Sequence, residues 1–479
     1  MNKEDLFKTL NDIDSDSIKK AREYKGHKKI IWGRWLAAAA SVAVIAGIII
    51  NLPAFRNIPS VNNTSGVMKV VADYPKPVAQ NLSAQEFMES DEHWTWWTSY
   101  RESLEESEKL QAGIDGYYFD LMGRMLVSED ENTVCSPLNT YIAFAMLAEV
   151  CDGNTRQQLL DMLGADNIRT LRKNISVLWE SNYADTPTLK SLLANSIWLD
   201  NDVDYNDDTL NMLAKQYYAS SFSGVPGSEE MDKELIKWTD DNTGGLLKDY
   251  TKNMHIQEDT VLEILSTIYF KASWTDRFYE NDTSSEVFHG TKGDTTVNMM
   301  HKTGVQKVYR TDNFTALGLS INDANGSMYF LLPNENADVN ELASDPDVMK
   351  VIRPDENDGN WSFPMVNLSV PKFKVSAKSD LIETVKELGI TDALDPSKAD
   401  FSPLTKEKDN LYLSKAEHAA MIEIDEQGVT GAAYTELAIV EGAFLSTDEI
   451  DLVFDRPFMF IVTGGDGSIL FSGIVRNIE

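Results

Sequence analysis

Only two cysteines occur in this chain, Cys135 and Cys151, so no disulfide framework holds the fold together. If the stretch between them is one helix, they stand about 24 Å apart, beyond bridging distance. Both flank apolar runs and read as small buried residues. Basic residues are also scarce, 43 against 76 acidic ones for a formal charge of -33, which argues against a surface built for nucleic acid or anionic lipid. Catalytic and metal signatures are missing. The six histidines, His27, His93, His255, His289, His301 and His418, form no His-Glu-x-x-His helix, and no Cys-x-x-Cys pair exists. Residues 290–295 lack the spacing of a phosphate loop, and no Gly-x-Ser-x-Gly elbow is present. No cofactor, metal site or catalytic residue is expected, although a triad assembled in space would leave no local signal.

Long apolar runs are equally rare. One begins at Trp35, and the run 35–52 carries no charge, a length at the lower edge of what spans a bilayer. Lys28, Lys29 and Arg34 precede it, and the positive-inside rule keeps that end in the cytoplasm. A secretory signal would have an unusually long leader here, and a core helix would be apolar on one face rather than all round. The reading is a signal-anchor helix at 35–52 behind a cytoplasmic tail, 1–34. The rest is expected outside the cell, on a single-pass membrane protein.

Residues 53–105 read as a linker or stalk, irregular at first and rich in proline, asparagine and serine. Ser83 with Glu86 fits a capping box opening a helical part, where Trp94, Trp96 and Trp97 either meet lipid headgroups or pack on the following domain. From 106 to 479 helical patterns come first, including Ile114 to Met125 and Tyr141 to Val150. Strand patterns follow at Ser327–Leu332, Val366–Val370, Ile422–Ile424 and Phe458–Val462. Gly464 to Gly467 reads as a hairpin turn. The mixture predicts an α+β domain around a large sheet.

Several segments, in order, resemble the serpin family of protease inhibitors. They include Asn132 to Asn139 with Gly153-Asn154-Thr155, Asn195 to Leu199, Trp238 with Thr243-Gly244-Gly245, and Tyr269 to Trp274. Val370 to Phe373, Glu426 to Thr435 and Phe454 to Phe458 complete the series. The resemblance implies three β-sheets, about eight or nine helices and an exposed reactive loop. In that family a target protease attacks the loop and forms an acyl-enzyme through its own nucleophile. The cut loop then enters the main sheet as a new strand and distorts the trapped protease. The expected product is a covalent complex of the protease with a monomeric inhibitor; the acidity reads as serving solubility rather than partner choice, although it could favour a basic protease. The tether and the lack of disulfides suggest, by analogy, a bacterial surface protein.

The loop hinge falls at Glu426, Gly428, Val429, Gly431, Ala432, Ala433 and Thr435. In a strand Val429, Gly431, Ala433 and Thr435 share the inward face; all are small or β-branched and none is charged. No proline occurs from Glu426 to Ala443, so no ladder donor is lost. These features favour insertion over a non-inhibitory serpin that acts as a surface binding module. The scissile bond falls in the window Gly442, Ala443, Phe444, Leu445, Ser446. It holds no Lys or Arg, which disfavours trypsin-like proteases and suits chymotrypsin-, subtilisin- or elastase-like ones. By motif position Ser136, Asn139, Ser266 and His418 form a polar latch beneath the sheet, and Trp274 stands where the loop enters. Asparagine and serine look exchanged between positions 139 and 266, an exchange that would preserve a mutual hydrogen bond.

Overall fold

The computed structural model describes residues 67–478 except 73, 246, 322–325, 336, 356–357, 406–410 and 430–447. The expected cytoplasmic tail and the membrane segment 35–52 lie outside the described residues. Among the described residues no helix is long and apolar enough to cross a membrane.

Alternation of apolar side chains builds three sheets, as the strand patterns predict. The main sheet has the order β1 (Met68–Val70), β5 (Ala219–Gly224), β4 (Leu189–Asp200), β6 (Leu262–Ser273), β16 (Gly428–Val429), β15 (Glu417–Ile424) and β14 (Phe373–Asp380), with β3 (Ala184–Asp185) paired to β4. The second runs β12 (Trp361–Ser362), β9 (Val308–Arg310), β10 (Phe314–Ser320), β11 (Ser327–Pro333), β18 (Phe458–Thr463), β19 (Ile469–Val475) and β2 (Thr133–Cys135). The third comprises β17 (Glu449–Val453), β13 (Met365–Pro371), β8 (Gly293–Val305) and β7 (Thr283–Gly290). β4 and β5 run parallel, joined by the crossover helix Asp207–Gln216. Helical segments exceed the eight or nine expected, because single turns such as Lys248–Thr251 and Val339–Leu342 add to the long helices.

The helix Pro137–Val150 is the hub. Proline at its start presets φ where no helical hydrogen bond is lost, and nearly every side chain along it is buried. It lies behind the main sheet against β6 and β19. Cys135 and Cys151 flank it as free, buried thiols, and burial pushes the Cys135 thiol up to about 12. The hairpin between β18 and β19 turns at Gly467, with φ of +81°, a conformation that suits glycine. Asp466 of that turn is buried and accepts hydrogen bonds from Ser107 Oγ (2.6 Å), Asn182 Nδ2 (2.9 Å) and Ser468 Oγ (2.7 Å). Those donors satisfy a carboxylate that burial would otherwise make costly.

Residues 67–105 join the same compact unit. β1 extends the main sheet beyond β5, with Met68 opposite Phe222. Ser83 and Glu86 form the expected capping box. The helix Asp91–Glu108 packs against the helix Ile168–Asn182. Trp96 stacks on Tyr100 with centroids 5.0 Å apart and Trp97 lies beside both, so two of the three tryptophans pack inward while Trp94 stays 71% exposed.

Candidate functional site

A tight reversal between β15 and β16 forms the head of the site. Asp425 N donates to Gly428 O at 3.1 Å, while Asp425 Oδ1 accepts from Gln427 N (2.8 Å) and Gly428 N (3.2 Å). The chain then enters the main sheet between β6 and β15. Gly428 pairs with Ser273, and Val429 with Ala272 on one side and Ile424 on the other. A Cβ on Gly428 would stand 2.1 Å from Ala272 O, so only glycine fits that approach. Val429 is buried, on the inward face expected for it.

Trp274 closes over this entry. Its Nε1 donates to Asp425 O at 2.9 Å, its backbone N donates to Gln427 O at 3.0 Å, and its ring meets Phe278 edge-on. Glu426 is buried beneath the turn and accepts from Thr283 Oγ1 (2.9 Å) and Lys372 Nζ (2.8 Å). Burial alone would raise its carboxyl, but the bonds from Lys372 and Thr283 outweigh that and hold it below the usual range. Sequence reading expects Glu426 in the hinge but does not offer its partners, since Lys372 comes from just before β14 and Thr283 from the start of β7.

Below Val429 the sheet is split. Among the described residues no ladder joins β6 directly to β15. A cavity of about 510 Å³ lies between them, bounded by Phe144 and Leu147 of the hub helix and by Leu265, Ser266, His418 and Tyr250. Three of the four residues expected to form the latch, Asn139, Ser266 and His418, line it, and Ser136 adjoins them through His418. Ser136 N donates to His418 Nε2 at 2.9 Å, and burial lowers the imidazole to about 4, so the ring is a neutral acceptor at ordinary pH. Asn139 and Ser266 both line the cavity, but the mutual hydrogen bond expected from their exchange is not made. Asn139 Oδ1, Ser266 Oγ and Ser136 Oγ are buried without a hydrogen-bond partner. Trp274 stands apart from these four, just past the end of β6 and eight residues from Ser266, roughly 26 Å at strand rise.

Glu263, three residues before Ser266 in β6, escaped sequence reading. It is a lone acid in an alternating strand and gave no motif. Burial raises its carboxyl, opposed by Lys415 and reinforced by Glu417, and its Oε2 has no partner. Gly431, Ala432, Ala433, Thr435 and the scissile window 442–446 lie outside the described residues. Among the described residues no group of His, Cys, Asp and Glu is arranged to hold a metal. Chemically, the split offers two strand edges and several unsatisfied polar atoms to an entering strand.

A family model described as serpin (serine protease inhibitor) matches residues 114–478. The chain is a serpin. Serpin B11 of Mus musculus is 28% identical over 363 residues, covering 72% of this chain and 92% of its own. The leukocyte elastase inhibitor of Xenopus laevis is 28% identical over 377 residues, covering 76% and 98%. Among solved structures, the thermophilic serpin tengpin in its native state superposes with a TM-score of 0.68 at 26% identity, covering 76% of this serpin and 93% of tengpin. Human thyroxine-binding globulin complexed with thyroxine superposes at 0.67 with 26% identity, covering 78% and 99%. The family is generally one of protease inhibitors rather than enzymes, and it includes non-inhibitory members such as thyroxine-binding globulin.

Proposed function

We propose that this serpin is an irreversible suicide-substrate inhibitor of serine proteases with chymotrypsin-, subtilisin- or elastase-like specificity. The supporting observation is the seat of β16. The loop's first two residues already lie in register between β6 and β15, and the split continues below them. A strand entering behind Val429 gains two ladders of backbone hydrogen bonds, fills the cavity and offers partners to its unsatisfied polar atoms, a large favourable change held back until the loop is cut. The protease supplies the nucleophile; its acyl-enzyme is carried across the body as the loop goes in.

The run 35–52 anchors the inhibitor in the cell membrane, with residues 106–479 outside the cell and acting as a monomer. Tethering keeps the inhibitor concentrated where external proteases reach the surface. The test is incubation with chymotrypsin, elastase, subtilisin and trypsin, read by denaturing gels and mass spectrometry. The proposal requires a denaturation-resistant complex and a carboxy-terminal fragment starting between Ala443 and Asp448. Rapid stoichiometric capture of trypsin would overturn the specificity. Clean cleavage by every protease without a complex would identify a binding serpin instead.

A further inference from the structure

We infer that the open face of the third sheet, beside the point where the reactive loop returns, is a second contact surface for the attacking protease. The inference rests on the inhibitory reading for the identity of its occupant. Strand pairing sets Val305, Met365 and Glu449 in one row and Thr303, Asn367 and Asp451 in the next. The alternate residues of β13, Val366, Leu368 and Val370, are buried on the opposite side, so these two rows form the outward face. Phe363 is 61% exposed and Val305 41%, large apolar side chains left in water at one end of the sheet. Gln306 N donates to Pro364 O, which fixes the backbone around Phe363 opposite residues 305–307. The indole of Trp361 lies under Lys307 Nζ at 4.1 Å and supports the same tip.

Beside the apolar tip stand ordered carboxylates. Asn367 Nδ2 donates to Glu449 Oε1 (3.0 Å) and to Asp451 Oδ1 (2.9 Å), while its Oδ1 accepts from Thr303 Oγ1 (3.0 Å). The asparagine is fully engaged and holds both acids outward.

The loop's return fixes who can reach this face. Met365 N donates to Asp448 O at 2.8 Å, tying the end of the loop to the row of Val305 and Glu449. Ser446 is three residues from Glu449, at most about 10 Å of chain, and Gly442 at most about 25 Å. A protease domain of roughly 250 residues has a radius of gyration of about 18 Å, so a protease seated on that window must lie over the face. The complementary partner carries an apolar residue and basic charge on the rim of its cleft. Such contacts act on encounter and docking rather than on the fate of the acyl-enzyme.

The experiment measures the second-order rate at which chymotrypsin captures the full chain, across a range of salt. Combined V305S and F363S substitution should slow capture about tenfold with unchanged stoichiometry and melting temperature, as loss of an apolar anchor does. Serines at Val127 and Val225, exposed valines outside this sheet, should leave the rate within about twofold. Combined E449Q and D451N should flatten the salt dependence. Phe363→Ala alone keeps the test open if the double variant misfolds. A V305S/F363S rate within twofold of the parent, in a folded protein, overturns the proposal. If the parent is cut but never trapped, the inhibitory reading falls while the cleavage rate still reports on this surface. No cutting of residues 440–448 by chymotrypsin, elastase or subtilisin overturns both.

Discussion

Lys372 Nζ lies 2.8 Å from Glu426 Oε2, joining the residue just before β14 to the one at which the chain turns back into the main sheet. The acid is buried and the lysine about a third exposed, so removing the cation strands a carboxylate that has only Thr283 left as a side-chain donor. K372A should destabilise the starting fold by about 1–2 kcal/mol, after allowance for solvent at the lysine. It should also speed loop insertion without protease. Urea unfolding midpoints and the rate of appearance of a more stable, inactive form check both. Because the Glu426 carboxyl is held below its usual range, its contribution is complete above the unfolded value and fades as pH falls through the lower folded one. E426Q should therefore lose part of the acid sensitivity seen below about pH 4.5.

His418 titrates in the opposite chemical sense with the same sign. Burial holds the ring neutral down to about pH 4, whereas in the unfolded chain it takes up a proton near pH 6.5. Between those values only the unfolded state gains the proton, so stability drops as pH falls from about 6.5 to about 4, by about 3 kcal/mol in all. His418→Gln should flatten that decline, measured as the urea midpoint at pH 7, 6 and 5.

Gly428→Ala tests the seat of β16. The new Cβ would meet Ala272 O at 2.1 Å, and relieving that overlap costs about 1–3 kcal/mol. With its head displaced, the loop should insert more slowly after cleavage, so the ratio of trapped to merely cleaved product falls by roughly tenfold or more. Densitometry of the two bands gives this ratio, and an unchanged ratio contradicts the role assigned to the turn.

Ser266→Ala should not harm the starting fold. Its hydroxyl is buried with no partner, so removing it relieves an unsatisfied group and stabilises by about 0.5–1.5 kcal/mol. A loss of stability would show that the hydroxyl is bonded in solution. The same change should make insertion less favourable if the entering strand is what satisfies it.

Much of this architecture is legible in the sequence. The capping box at Ser83 and Glu86, the proline-led helix at 137 and the hairpin at Gly467 each follow from local chemistry, and local chemistry decided them. Trp274 and Gly428 were placed by motif, and the structure adds the reason, a carbonyl contact and a backbone crowding that no spacing rule displays. What stayed hidden depends on partners far apart in the chain. Lys372 meets Glu426 across 54 positions, β1 meets β5 across about 150, and Glu263 is an ordinary acid until β15 stands beside it. The supposed Asn139–Ser266 bond fails for the same reason. Side-chain types can suggest a pairing, but the packing of the helix Pro137–Val150 on β6 decides whether the atoms meet, and here both are left unpartnered beside the cavity.

The measurement that tests the central claim most directly is the melting temperature of the chain before and after a single cut within residues 442–446. If the severed loop enters the split behind Val429, the cut protein must become far more stable, with its cavity filled and two new ladders formed. An increase of about 20 °C or more is expected, since two new ladders at about 1 kcal/mol per bond contribute on the order of 10 kcal/mol and each kcal/mol shifts a domain of this size by about 2 °C. A cut protein that melts at or below the temperature of the intact one would contradict insertion, and with it the reading of this serpin as a trap.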